Sequence, residues 1–299
     1  MTRRSWLDWT LLGVLVVVWG SSFAMTKIGV ASIAPSWLVA IRLSVAAAVL
    51  VPVVWWRGER LPRDWPSWLS LAALAVIGNI APFWLVAWGT AHIASSLSGI
   101  LMATVPLAVI VMAHFLLPDE PLSRLKGAGF VVGFAGVVLL LGPQNLLNIA
   151  AQGIRFWAQI AVLAATLCYA AHSMIARLMP KTSSTVMAAA VCALGAVMAV
   201  PLAFFTAPSG LETASTASLA AGIALGLFPT ALASLVVYVL LARAGASFVS
   251  TSNYLIPAFA VILGALALSE KISVSAILGL AFILAGIAIS EGRWRKRQS

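Results

Sequence analysis

One segment of this chain occurs twice. Residues 98–140, SGILMATVPLAVIVMAHFLLPDEPLSRLKGAGFVVGFAGVVLL, return as residues 250–289, STSNYLIPAFAVILGALALSEKISVSAILGLAFILAGIAI. Pro106 corresponds to Pro257, Glu120 to Glu270 and Ser123 to Ser273. Gly129, Ala135 and Gly136 correspond to Gly279, Ala285 and Gly286. Internal repetition constrains architecture before any other feature does: the fold is built from two copies of one unit. The repeated segment is two apolar helices long, with a proline inside the first and a short charged turn between them.

The repeat sits in a chain that lacks the polar residues a water-facing surface needs. Of 299 residues, 62% are hydrophobic and 9% charged, whereas soluble domains carry about 25% charged residues. The expected solvent is therefore lipid. A net charge of +10 would suit nucleic acid only if the cations clustered on one face. Here they stand between apolar runs and read as topology signals, so no nucleic-acid partner is expected. Cys168 and Cys192 each lie inside an apolar run, where a thiol packs as a small hydrophobe. Their spacing offers neither a disulfide framework nor a metal site, and no cofactor is expected. Arg3 and Arg4, an apolar run and Ser22-Phe23-Ala24 have the outline of a signal peptide. The run is long enough to span, however, and reads as an uncleaved first span.

A span needs about 20 apolar residues, and ten runs meet that need: 9–30, 37–56, 68–89, 93–117, 122–141, 157–175, 185–205, 217–241, 248–268 and 274–290. The longest connection, 142–156, joins the halves. The domain reading is a first repeat at 1–145, a linker at 146–156 outside the cytoplasm and a second repeat at 157–299. Five crossings per copy make the copies inverted. Placing the N-terminus in the cytoplasm puts Arg3, Arg4, Arg57, Arg60, Arg63, Arg124, Lys126, Arg177, Lys181, Arg243, Arg293, Arg295, Lys296 and Arg297 inside. Only Lys27, Arg155 and Lys271 then fall outside. That bias sets both termini on the cytoplasmic side. Tryptophans near run ends, Trp37, Trp55 and Trp56 among them, read as interfacial belts.

Helix breakers deep in a span matter, because a freed carbonyl in lipid must find a partner. Pro82, Pro106, Pro229 and Pro257 interrupt spans three, four, eight and nine, which correspond between the halves. Paired interruptions of this kind point to a binding site near the midplane of a transporter. A packing kink is the alternative for any one proline. Asn79, Trp84, Trp88, Ser98, Met102, Tyr238, Asn253 and Tyr254 lie on these spans, and Asn253 falls at the repeat position of Met102. Aromatics with a few polar groups suit a ligand with an apolar body and a polar head. Ser, Thr and Asn also bind helices to one another, which is the competing reading residue by residue.

Arg42 lies five residues into span two, about 8 Å deep. Gripping a substrate carboxylate, snorkelling outward and bracing carbonyls are all open to it. Lys27 and its repeat mate Arg177 read as interfacial anchors. Glu120 and Glu270 read as complements to the positive end of the helix that follows each. No Asp or Glu lies deep in a span, so the buried carboxylate of many proton-coupled carriers is missing. His172 is the one histidine placed to titrate inside a span, with a packed role as the alternative. The chain carries no G-x-S-x-G, H-E-x-x-H or P-loop. His114 and Asp119 share the H-x-x-x-x-D spacing of glycerolipid acyltransferases, a short match at a helix end. The chain is read as a non-enzyme.

Trp19-Gly20-Ser21-Ser22-Phe23 followed by Lys27, Pro35 with Arg42, and the two Pro–Glu–Gly patterns above resemble the EamA type of the drug/metabolite transporter superfamily. The likeness covers nearly the whole chain. The second repeat departs at its start, with Tyr169-Ala170-Ala171-His172 in place of the Trp-Gly-Ser-Ser motif. The resemblance implies an all-α integral membrane protein of ten helices. These form two inverted five-helix repeats around a central cavity walled mainly by spans one, three, four, six, eight and nine. It also implies export of small metabolites, with a likeness to bacterial amino-acid exporters of the aromatic type. The expectation is a multi-pass inner-membrane exporter of amino acids, working by alternating access, with no obligate protein partner. Asn79, Trp84, Trp88, Ser98, Met102, Tyr169, His172, Tyr238, Asn253 and Tyr254 would line the site, and Pro106 and Pro257 would help the gate bend. Export of other metabolites or drugs, or an acyltransferase using His114 and Asp119, are the alternatives.

Overall fold

A computed structural model describes residues 5–117, 122–147, 153–179 and 182–292. Those residues are helical, with no strand among them. The first half runs α1 (Trp6–Gly29), α2 (Pro35–Trp56), α3 (Trp65–Ala75), α4 (Ala81–His92), α5 (Ser95–Met102), α6 (Val105–Leu116), α7 (Arg124–Leu141) and the short α8 (Pro143–Leu147). The second runs α9 (Ile154–Leu178), α10 (Ser184–Thr206), α11 (Thr216–Leu225), α12 (Ala233–Ala244), α13 (Ala246–Val249), α14 (Ser252–Ala267) and α15 (Val274–Ser290). Taken as continuous stretches, nine are long and apolar enough to cross a membrane, and α15, the tenth apolar run, has 17 residues. Their exposed apolar side chains, such as Phe115, Val197, Phe205 and Leu266, form the surface that a multi-pass protein turns to lipid.

Local chemistry explains where the helices begin. Ser5 and Asp8 form a reciprocal capping box, so α1 starts three residues before the apolar run that announces it. Ser123 and Ser273, mates in the repeat, each cap the next helix, accepting from the N–H of Lys126 and of Ala276. This corrects the reading of Glu270 as the complement to α15: Ser273 fills that place, and Glu270 turns elsewhere. Glu120 lies outside the described residues.

The interruptions in spans three and eight are π-turns. Residues 76–80 join α3 to α4, ahead of Pro82, and residues 226–232 join α11 to α12, around Pro229. A proline donates no N–H and crowds the carbonyl four residues back, so the helix widens there. Span four breaks at Ala103–Thr104, and Pro106 sits in the first turn of α6. Span nine breaks earlier relative to its proline, at Ser250–Thr251, and Pro257 lies inside α14.

Corresponding helices pack on each other. The most extensive contacts are α7 with α15 and α2 with α10. At the α7–α15 crossing a Cβ on Gly136 would stand 2.7 Å from the carbonyl oxygen of Gly279. One on Gly129 would run into the Gly286 carbonyl. Thus 129 meets 286 and 136 meets 279: the two mates run antiparallel. The Gly and Ala positions of the repeat exist for this approach. The α2–α10 contact is the main core, built on Leu43, Leu50, Ala189 and Cys192.

Candidate functional site

Between the halves lies a cavity of about 430 Å³. The two π-turns reach it through Asn79 and Thr230, and the helix breaks through Met102, Ala103, Pro106, Asn253 and Pro257. Pro106 and Pro257 leave the carbonyls of their repeat-mate residues, Met102 and Asn253, without the usual helical donor. Pro229 does the same to Leu225, whose carbonyl accepts instead from the Thr230 hydroxyl at 2.8 Å. The Pro229 carbonyl itself accepts from the Trp19 indole at 3.1 Å.

Of the ten residues expected at the site, Asn79, Met102, Tyr169, His172, Tyr238 and Asn253 line this cavity, as do Pro106 and Pro257. Four do not reach it. Trp84 is 40% exposed on the outer face of α4, with its ring 6.3 Å from that of Trp88. Trp88 stands next to His92. Steps of four residues carry this ladder along one face of the helix, while Asn79, Phe83 and Val86 hold the cavity face. Ser98 is fully buried and shares a 2.9 Å hydrogen bond with Thr90, so its hydroxyl joins two helices. Tyr254 packs on the cluster around Ile100, Leu107 and Val137. Neighbours on a helix point about 100° apart, so with Asn253 at the cavity Tyr254 turns away.

The residue-by-residue reading passed over Trp19, Ser22, Phe23, Thr26, Phe83 and Cys192, all of which line the cavity, as does Thr230 of span eight. Trp19 and Ser22 belong to the opening motif of the first repeat, and their mates Tyr169 and His172 face the same space. The halves thus offer one cavity two different chemistries at equivalent positions. Spans two and seven also reach it, through Arg42 and through Met187, Val191 and Cys192.

Arg42 neither snorkels nor braces carbonyls. Its Nε donates to Thr230 Oγ1 at 2.8 Å, and its guanidinium carbon stands 3.6 Å from the Phe83 ring centroid. Lys27, expected as an interfacial anchor, has a partner within the protein. Its Nζ donates to the carbonyls of Thr90, Ala91 and Ile93 at 2.9, 3.3 and 2.9 Å, closing the C-terminal end of α4. Glu270 accepts from the N–H of Ser95 and Ser96 at 2.6 and 2.9 Å, closing the N-terminal end of α5. Burial pushes the Glu270 carboxyl up, but the bonds from Ser96 and Ser95 outweigh it and hold the group below its ordinary value. His114 lies away from the cavity and accepts from the Leu122 N–H at 3.1 Å. Asp119, its partner in the acyltransferase spacing, lies outside the described residues. Among those residues no cluster of three His, Cys, Asp or Glu could hold a metal.

Duplicated helices, interrupted spans and a cavity between the copies define a membrane transporter. The chain belongs to the EamA-like transporter family, whose profile matches residues 7–142 and again 156–291. It is 25% identical to the uncharacterized transporter YoaV of Bacillus subtilis, over 96% of this chain and 98% of that one. It is also 25% identical to an uncharacterized transporter of Archaeoglobus fulgidus, over 95% and 96%. A probable terminal-alkyne amino-acid exporter of Streptantibioticus cattleyicolor is 26% identical, over 95% and 93%. One solved crystal structure shares the fold at a TM-score of 0.68 and 19% identity, covering 99% of this chain and all of that one.

Proposed function

We propose that this protein is a secondary transporter that exports amino acids across a bacterial inner membrane by alternating access. It crosses the membrane ten times, as two inverted five-helix repeats with both termini cytoplasmic. The observation that carries the reading is the cavity between the halves. It combines aromatic walls (Trp19, Phe83, Tyr169, Tyr238) with a few polar groups (Asn79, His172, Thr230, Asn253), three of which, Asn79, Thr230 and Asn253, stand on interrupted spans. Its size suits a single amino acid. The antiparallel α7–α15 crossing supports the inversion, and the excess of Lys and Arg in one set of loops supports the orientation. The exporter from Streptantibioticus cattleyicolor supports the amino-acid class. Asn79, Met102, Tyr169, His172, Tyr238 and Asn253 form the substrate wall, while Trp84, Trp88, Ser98 and Tyr254 support the helices that carry it.

The experiment is flux. Purified protein in liposomes loaded with labelled amino acids, phenylalanine and leucine first, is expected to release label faster than protein-free liposomes loaded in the same way. Asn79→Ala and Tyr169→Ala are expected to lower that rate at least tenfold. Release no faster than from protein-free vesicles for every amino acid would overturn the proposal.

A further inference from the structure

We infer that Arg42 is the residue that reads the ligand, and that it reads a carboxylate. The inference rests on the exporter reading and deepens it: the cavity selects for the carboxylate end of its ligand and is nearly indifferent to the ammonium end.

Three of the constraints on the guanidinium are visible. One face is covered by the Phe83 ring, 3.6 Å from its centroid. Nε is spent on Thr230 Oγ1 at 2.8 Å. The Thr230 hydrogen is itself committed to the Leu225 carbonyl, which Pro229 leaves without its donor four residues on. The hydroxyl can therefore only accept from Arg42, and the plane of the guanidinium is set. What remains is the fork of Nη1 and Nη2, for which no acceptor stands among the described residues. Arg42 lines the cavity, and no Asp or Glu lines it. A buried cation with a fixed, unspent fork is built for a planar two-oxygen anion, which it meets with two parallel hydrogen bonds. The ligand's own carboxylate supplies the counter-charge that the protein omits. The ammonium end is treated differently. With no acid in the cavity, it meets only neutral acceptors, such as the carbonyls that Pro106 and Pro257 release at Met102 and Asn253.

The test compares four probes of one size on the purified full-length protein: L-phenylalanine, 3-phenylpropanoate (no ammonium), L-phenylalaninamide (no carboxylate) and phenyl phosphate. Phenylglyoxal modifies accessible arginines, and mass spectrometry of the peptide bearing Arg42 reads the extent without any substitution. Phenylalanine and 3-phenylpropanoate are expected to slow labelling of Arg42 at concentrations within about threefold of each other. Phenylalaninamide should require at least about tenfold more, because it forfeits the charge-assisted pair with the fork. Phenyl phosphate, a dianion facing one cation, should also protect poorly. In binding measurements R42Q should lose the preference for acid over amide, and R42K should keep part of it. Failure of Arg42 to label at all, equal protection by amide and acid, or protection by phenyl phosphate as strong as by 3-phenylpropanoate would each overturn the inference. Arg42-dependent binding of 3-phenylpropanoate without flux of any amino acid would instead uphold Arg42 and sink the exporter reading. Flux of phenylalanine unchanged in R42Q would do the reverse.

Discussion

Lys27 and Glu270, which come from opposite halves of the chain, hold the two ends of one turn. The turn at Ile93–Ala94 ends α4 with free carbonyls and begins α5 with free N–H groups. Lys27 takes three of the former and Glu270 two of the latter. Each charge meets the end of a helix dipole that favours it. The first and second halves are thereby tied at one end of the bundle. There α5 and α14 also pack closely: a Cβ on Gly99 would stand 2.7 Å from the Cβ of Ala260.

The clamp gives a prediction with a pH signature. Replacing Glu270 by Gln keeps the shape but weakens two charge-assisted bonds, each of the order of 1.5–3 kcal/mol. E270Q should lower the melting temperature of the detergent-solubilised protein and raise the accessibility of a cysteine introduced at Ser22. The Glu270 carboxyl is held below its ordinary value when folded. Its contribution is then complete above the unfolded value of about 4.3 and disappears as pH falls through the lower folded one. The parent protein should therefore lose stability on that acid branch, and E270Q should lose less there. A parallel pH profile for the two would show that the carboxylate does not hold the turn.

A second prediction concerns the α7–α15 crossing. Gly136→Ala places a methyl group 2.7 Å from the Gly279 carbonyl oxygen, and a backbone atom in a helix cannot step aside. Overpacking of this kind costs about 1–3 kcal/mol. Gly13→Ala, where nothing lies within 4 Å, should be neutral or slightly stabilising. Thermal melts of the two variants beside the parent decide the matter. Equal melting temperatures would mean that the helices separate freely at this crossing.

Much of this was legible in the chain. The repeat, its glycines and its capping serines announce a duplicated helical unit, because each is a local demand with a fixed spacing. The prolines lead to the cavity, since an interrupted helix in lipid needs a polar or protein-lined surrounding. What escaped was the direction each side chain takes. Asn253 and Tyr254 differ by one step on a helix that is apolar on every side, so hydrophobic periodicity gives no hint of which one turns inward. Lys27 and Glu270 escaped for another reason. Their partners are backbone groups of helices far along the chain, and a carbonyl or N–H leaves no mark in the residue type.

The same geometry separates the tryptophans. Trp19 lines the cavity and donates to the Pro229 carbonyl at 3.1 Å, whereas Trp84 and Trp88 lie off it. Trp19→Phe removes one hydrogen bond inside the π-turned helix, and flux should fall several-fold, with a stability loss of about 1 kcal/mol. Trp84→Phe should leave flux within about twofold of the parent, because single exposed apolar changes outside a site have small effects. Flux measured side by side in liposomes checks both. A larger loss at Trp84 than at Trp19 would move the substrate path to the outer face of α4.

Gly78 packs directly against His172, a residue of the cavity wall, and the contact permits a test that does not need the substrate. A Cβ on Gly78 would occupy the place of the His172 imidazole, with Nδ1 its nearest atom. That nitrogen has no hydrogen-bond partner among the described residues, so it is packing that sets this edge of the ring. Gly78→Ala alone should force the imidazole to rotate and should destabilise the protein by about 1–3 kcal/mol. His172→Ala alone removes the obstacle and leaves a void. In the double variant the new methyl group partly fills that void, so the two losses should not add, and the coupling should favour the pair by about 1 kcal/mol. Melting curves of the four proteins supply the cycle. Strict additivity would mean that residues 78 and 172 do not touch, and that span three and span six stand further apart at the cavity than this geometry requires.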